Sequence, residues 1–254
     1  MKFLNNFNMI SVTQIGCGGT GSWVVPLVSK LLNNLSLHLN TEETQIRYEL
    51  VDCDIVERRN ILRQNFTEWD IGKSKVQALV SRYVYNFPDY LFGNKTKIKS
   101  VKNVISLTFG NYNLRFLQIF LGCVDNNLTR RHIYKACSKL HKTEDKDVFI
   151  YIDSGNNVYN GQIVTSVFGL KENDKSCLTN FKPYKQLNFL KMFSDKVEQE
   201  SGEQSCAFFG DQSQAINNLA AALMFCCLQR ILVASELPPQ IIYFNSSGYA
   251  NFEI

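Results

Sequence analysis

Residues 10–35 read ISVTQIGCGGTGSWVVPLVSKLLNNL, and their order decides the fold class. Ile10–Ile15 is a short strand-like stretch that runs straight into Gly16-Cys-Gly18-Gly19-Thr-Gly21. From Ser22 to Leu35 the apolar residues Val24, Val25, Leu27, Val28, Leu31, Leu32 and Leu35 recur at helical spacing. A strand that turns through glycines into a helix aims the helix N-terminus at an anion, and the glycines let backbone approach a phosphate. The spacing of Gly16, Gly18 and Gly21 fits the dinucleotide fingerprint G-x-G-x-x-G. On this loop alone an NAD-dependent oxidoreductase stays open, as does a glycine turn that merely packs helix on strand.

Outward from this unit the chain alternates strands and helices. Strands are expected at Ile46–Val51, Phe116–Val124, Val148–Ile152 and Ile163–Phe168, and helices at Val76–Tyr85 and Leu128–Leu140. Phe116–Val124 is almost continuously apolar, as befits a central parallel strand. Asn33–Gln45 is polar and reads as a surface excursion. Lys171–Gln204 is polar and reads as a long crossover with little structure of its own; loops of that length are usually functional. A helix over Gln212–Ala234 and a hairpin of Ile241–Phe244 with Tyr249–Ile254 close the chain. The expected architecture is an α/β, Rossmann-like, doubly wound and mostly parallel sheet, with a crossover loop and a C-terminal antiparallel extension. Residues 1–170 form the nucleotide-binding region, 171–211 the crossover, and 212–254 a helix and strands that complete the same domain.

The segment 51–75, VDCDIVERRNILRQNFTEWDIGKSK, narrows the chemistry. Asp52 at a strand end can hydrogen-bond a ribose, as in any Rossmann site. Asn60, Arg63, Gln64 and Lys75 follow, and two cations beside a triphosphate would offset charge developing on a pyrophosphate leaving group. Gly72-Lys73-Ser74 looks like the end of a phosphate-binding P-loop, but Thr67 stands where that loop needs glycine. Asp125 follows the central strand, where open α/β sheets bind ligands, and could hold Mg²⁺ or cap the next helix.

The spacing Asp52-x-Asp54-x-Val56-x-x-x-Asn60-x-x-Arg63-Gln64, followed by Asp70-Ile71-Gly72-x-x-Lys75, resembles the ThiF, MoeB and ubiquitin-activating enzyme family. Tyr151–Asn156 and Gln204-Ser-Cys206 look closest to its compact bacterial members, including the plasmid-associated PRTRC type. The resemblance implies ATP-dependent adenylation of the C-terminal carboxylate of a ubiquitin-like protein, followed by thioester transfer. The alternative it implies is activation of a sulfur carrier for thiamin or molybdopterin biosynthesis. By the same likeness Gly16, Gly18, Gly19 and Gly21 line the nucleotide pocket, Asp52 binds the ribose, and Asp54 is a further nucleotide-binding residue. Asn60, Arg63, Gln64 and Lys75 touch phosphates, and Asp125, beside Asn126, is the magnesium ligand. Cys206 stands where the family carries a crossover cysteine and is the expected acyl acceptor, with Cys177 the fallback. A homodimer and a conjugating enzyme are the implied partners. The family's two C-x-x-C zinc pairs are missing, so no zinc is expected, and no arginine precedes Arg47 to serve a neighbouring subunit.

Bulk properties agree. A formal charge of +4 over 254 residues argues against a dedicated nucleic-acid binder. Eight cysteines without a C-x-x-C pair, and an N-terminus with no signal peptide, point to a reducing cytoplasm. Cys226 and Cys227 sit in the apolar run Leu219–Leu228, which is too short to span a bilayer and reads as a core helix.

Overall fold

Alternate residues of the central strands belong to two different cores, which is the signature of a sheet covered on both faces. Ile10 and Val12, Tyr48 and Leu50, Leu117, Ile119 and Leu121, and Ile150 and Ile152 pack into one core. Ile15, Val51, Phe120, Phe149 and Tyr151 pack into the other. The computed structural model describes residues 2–39, 44–84, 90–108, 114–185, 187, 189, 213–247 and 250–253.

Among the described residues eight strands form one sheet. Its parallel part comprises β1 (Met9–Ile15), β2 (Gln45–Val51), β3 (Leu91–Asn94), β4 (Phe116–Gly122) and β5 (Val148–Asn156). β6 (Asn160–Phe168), β7 (Ile241–Asn245) and β8 (Ala250–Glu253) extend it antiparallel. The order is β3-β2-β1-β4-β5-β6-β7-β8. Chain direction across the sheet reverses between β1 and β4, and Ile15 is in register with Gly122 there. That seam is the switch point at which open α/β sheets bind ligands.

Helices α1 (Gly19–Ser36) and α2 (Lys75–Tyr83) cover the first face, and α3 (Val101–Ile105) and α4 (Asn127–Thr143) cover the second. After β6 comes α5 (Glu172–Cys177), and α6 (Gln214–Gln229) lies against α1, β5 and β6. A π-helical turn over Arg230–Ala234 extends α6 and stops at Ser235, which has φ +54°. By length and composition Gln214–Ala234 would pass for a membrane span, yet 50% of its apolar window is buried in this fold. It is a core helix.

Three expectations need correction, and two short elements have no sequence reading. Asn33–Ser36 continues α1, because Leu35 reaches the core. β3 and α3 are short and carry too few apolar residues to show a period. The expected structureless crossover begins with α5: Asp174 is 0% exposed and accepts two bonds from the Arg115 guanidinium, at 2.9 and 2.7 Å. Cys226 is exposed, since only Cys227 of the pair faces inward.

Candidate active site

The glycine loop leaves β1 at Gly16, whose φ of +99° suits glycine. A side chain there would overlap the Cys123 carbonyl, and one at Gly21 would overlap the Gly16 carbonyl. Gly18 is different: its nearest neighbour, 3.9 Å from where a Cβ would sit, is the Gln64 amide. Gly18 also precedes α1 without supplying a side-chain cap, so the first-turn N–H groups of α1 stay open to an anion. Below the loop, Gln14 donates to the carbonyls of Gly16 and Gly21. From β2, Asp52 accepts the Cys17 N–H at 2.7 Å and the Asp54 N–H at 2.8 Å.

Asp52 and Asp54 have opposite electrostatics. Burial pushes the Asp52 carboxyl up, against the pull of Lys75 and the two N–H donors. Burial also raises Asp54, but the Lys75 ammonium 3.0 Å away outweighs it and leaves this carboxyl below the usual range. Lys75 itself is 6% exposed. Asp52, Cys53 and Asp54 bring three potential metal-ligating atoms within 4.8 Å, though Lys75 already holds Asp54. A cavity of about 370 Å³ opens beside them, lined by Cys53, Asp54, Glu57, Arg59, Asn60 and Lys75 among others.

The intervening loop is built by caps. Asn60 Oδ1 accepts the Glu57 N–H at 2.8 Å, one half of a reciprocal capping box. Asp70 accepts the Thr67 N–H and hydroxyl and pairs with Arg82. Gly72 then turns at φ +82°, Lys75 N–H bonds the Asp54 carbonyl at 3.0 Å, and α2 starts with Lys75 facing the pocket. Pro26 lies inside α1 and cannot donate to the Ser22 carbonyl. Asn65 Nδ2 supplies that donor at 3.2 Å, and the Ser22 hydroxyl accepts the Asn65 N–H at 2.9 Å. The break in α1 is thus where the Arg63-Gln64 segment docks. Trp23 Nε1 and Asn217 Nδ2 both donate to the Arg63 carbonyl. Gln64 is 5% exposed, and its Oε1 meets no partner among the described residues.

Across the β1–β4 seam Asp125 is exposed, with the Asn126 amide 3.4 Å away. Asn126, not Asp125, caps α4, accepting the Thr129 N–H at 2.8 Å. Arg130 supports the segment by donating to the carbonyls of Val124 and Ser154, and it faces the fully buried Asp153 at 3.3 Å. A polar cluster joins the two sides: Thr20 Oγ1 donates to Asn156 Oδ1 at 3.1 Å, and Asn156 Nδ2 donates to Asn217 Oδ1 at 2.9 Å.

The ThiF family profile matches residues 2–240. The chain belongs to the ThiF family. Solved structures with the same fold agree with this membership. Escherichia coli MccB with AMPCPP and selenomethionine MccA aligns at TM-score 0.63 and 18% identity, over 99% of this chain and 64% of that one. Escherichia coli MccB with ATP gives 0.63 and 17%, over 99% and 65%. PaaA gives 0.60 and 14%, over 99% and 66%. The chain thus spans just under two thirds of the length of these ThiF-like structures. No curated protein sequence matches it.

Within this ThiF fold, Gly16, Gly18, Gly19 and Gly21 lie in the loop after β1 and at the start of α1, and Asp52, Asp54, Asn60, Arg63, Gln64 and Lys75 lie in the segment from β2 to the start of α2; of these, Asp54, Asn60 and Lys75 line the cavity. Asp125 and Asn126 follow β4 at the edge where β1 and β2 also end. Cys177 does not join them. Its helix α5 is tied through Asp174 to Asn6 and Arg115, at the opposite ends of β1 and β4. The seven residues of β4 put roughly 20 Å between the two edges. Cys206 lies outside the described residues. Gln14, Asn65 and Asn217 carry much of the architecture and were not singled out from sequence. Each has a signal in retrospect: a buried amide in an apolar strand, a partner for a proline-broken helix, and a buried polar residue in an apolar helix.

Proposed function

We propose that this chain is an ATP-dependent adenylyltransferase acting on the C-terminal carboxylate of a protein or peptide, with a ubiquitin-like protein as its substrate. The observation that carries the reading is that the cation-bearing loop is tied to the glycine loop, through Asp52 to Cys17 and Asn65 to Ser22. A hydride-transfer site has no use for Arg63 and Lys75 beside its dinucleotide. Gln64, whose amide nitrogen lies beside Gly18 and whose buried amide oxygen meets no partner among the described residues, gives a nucleotide a polar group to meet. MccB, solved in complex with ATP and with AMPCPP and MccA, supports the same reading.

In this mechanism a substrate carboxylate oxygen attacks the α-phosphorus of ATP, the bond to pyrophosphate breaks, and an acyl-adenylate forms. Asp52 orients the ribose and Asn60 binds phosphate. Arg63 and Lys75 offset the charge on the departing pyrophosphate, which is electrostatic stabilisation in a site arranged beforehand. The donor set fits Mg²⁺: Asp125, an exposed carboxylate beside Asn126, would hold the ion, which screens phosphate charge. Thioester formation follows at Cys206, whose sulfur displaces AMP as its proton passes to solvent. Ser213, the cap of α6, is seven residues further on, and that length spans at most about 24 Å. A homodimer and a conjugating enzyme are the assembly partners this reading carries.

The test combines purified protein, Mg·ATP and candidate substrates: the ubiquitin-like or sulfur-carrier proteins encoded nearby. Substrate-dependent pyrophosphate release is expected, with a thiol-sensitive adduct on a non-reducing gel that Cys206→Ala removes. Pyrophosphate release without an adduct would leave adenylation alone and favour the sulfur-carrier reading. No release with any substrate would sink the proposal.

A further inference from the structure

Gln14 is an amide where the strand pattern calls for an aliphatic residue. It lies on the same face of β1 as Ile10 and Val12 and is 0% exposed. Burying an amide is costly unless its hydrogen-bonding groups are matched, and here they are. Nε2 donates one N–H to the Gly16 carbonyl at 3.0 Å and the other to the Gly21 carbonyl at 2.9 Å. Oε1 accepts the Tyr48 hydroxyl at 2.6 Å. Tyr48 comes from the neighbouring strand β2 and is 1% exposed. We propose that Gln14 and Tyr48 are positioning residues that clamp the glycine loop from beneath and set its nucleotide affinity.

Gly16 and Gly21 are the first and last glycines of the loop, so one amide bridges its two ends. The loop is crowded at that point: Gly21 approaches the Gly16 carbonyl so closely that no Cβ would fit. Tyr48 selects the orientation of the amide. A flipped Gln14 would set its oxygen against two carbonyl oxygens and leave the tyrosine hydroxyl facing an N–H donor. With the amide held, the Gly19, Thr20 and Gly21 N–H groups at the start of α1 keep a fixed direction before any ligand arrives. Pre-ordering of this kind raises affinity by removing an ordering cost from binding. Neither residue touches the reacting atoms, so the effect belongs to the KM for ATP and not to turnover.

This inference rests on the nucleotide reading above. The experiment measures ATP·Mg affinity by calorimetry at 10 °C, the KM for ATP and kcat by pyrophosphate release, and thermal melting, on wild type, Gln14→Leu, Gln14→Glu and Tyr48→Phe. Gln14→Leu is expected to weaken ATP binding about tenfold, as for loss of its two modest hydrogen bonds to the loop, and Tyr48→Phe about threefold, as for loss of the one bond that orients the amide. Gln14→Glu, which turns an acceptor toward the carbonyls, is expected to be weaker than Gln14→Leu. kcat at saturating ATP and the KM for the protein substrate should stay near wild type. A folded Gln14→Leu that melts early but binds ATP as wild type does would reduce Gln14 to a packing role and overturn the clamp. If Gln14→Leu does not fold, an unaltered KM for ATP in Tyr48→Phe overturns it instead. Wild type that binds no ATP would remove the nucleotide reading first, and the clamp with it.

Discussion

Between Gly16 and Lys75 several polar side chains of the site are held by other parts of the protein, whereas Asp125, across the β1–β4 seam, meets only the neighbouring Asn126 amide, at 3.4 Å, among the described residues. Asp52 is held by two N–H groups, Asn60 by a capping box, Lys75 by Asp54, and the glycine loop by Gln14. The first half is organised before a ligand arrives and the second half is left open for one. The difference teaches that the same strand-end position serves two purposes. Asp52 and Asp70, which shape the loop, accept backbone N–H bonds, while in the proposed mechanism Asp125 keeps its oxygens free for a cation. Mutations should therefore separate. Those on the open side should change chemistry without changing stability, and those on the held side should change stability or affinity, with Lys75, which is held but also meets the phosphates in the proposed mechanism, the exception.

The sharpest break would come at Asp125. Asp125→Ala is expected to lower pyrophosphate release about 1000-fold while the melting temperature stays unchanged, the size seen when one transition-state electrostatic partner is lost. An equal loss of stability would show that Asp125 shapes the fold as Asp52 does. Lys75→Ala should cost about 100-fold in the same assay. It should also bring Asp54 back up toward ordinary carboxylate behaviour, which NMR titration would register, because the ammonium now holds it down.

Asp70 tests the held side by pH. Burial raises its carboxyl, and Thr67 and Arg82 more than reverse this, so it titrates below an unfolded aspartate at about 3.9. Its contribution is therefore fully present above that value and is lost as pH falls through the lower folded value. Asp70→Asn should cost about 2 kcal/mol at pH 7 and progressively less toward pH 2 by urea denaturation. A constant difference across that range would rule out the charge as the cause. The smallest effect is expected at Asn65. Asn65→Ala should lose about 1 kcal/mol, and less in a Pro26→Ala background, where residue 26 can again donate to the Ser22 carbonyl. Equal losses in both backgrounds would detach Asn65 from the helix break.

Legibility followed locality. Gly16–Gly21, Asp52 and Lys75 are readable because glycine conformations, strand ends and helix starts are encoded within a few residues of themselves. The motif around Asp70 and Gly72 was visible as spacing, but the reason for the spacing was not. Asp70 works through Thr67 and Arg82, and Gly72 works by turning the chain so that α2 begins at Lys75. α5 was missed because Asp174 is stabilised by Arg115, 59 residues away, and nothing nearby in sequence announces that pair. Cys177 is the fallback to Cys206 because it too stands at one end of the polar stretch; only the position of α5 separates it from the nucleotide loop.

By itself the sequence determined the alternation of strand and helix, the glycine turn and the order of the charged residues after β2, since these rest on side-chain period and on backbone preferences that act over a few residues. The tertiary structure alone decided which strands are neighbours, that the charged loop folds back onto α1 at Pro26, and that Gln14, Tyr48 and Asn217 meet the glycine loop and the Arg63 segment. Those contacts depend on burial: an amide placed in a core must find its partners wherever the sheet brings them, and sequence distance does not measure that.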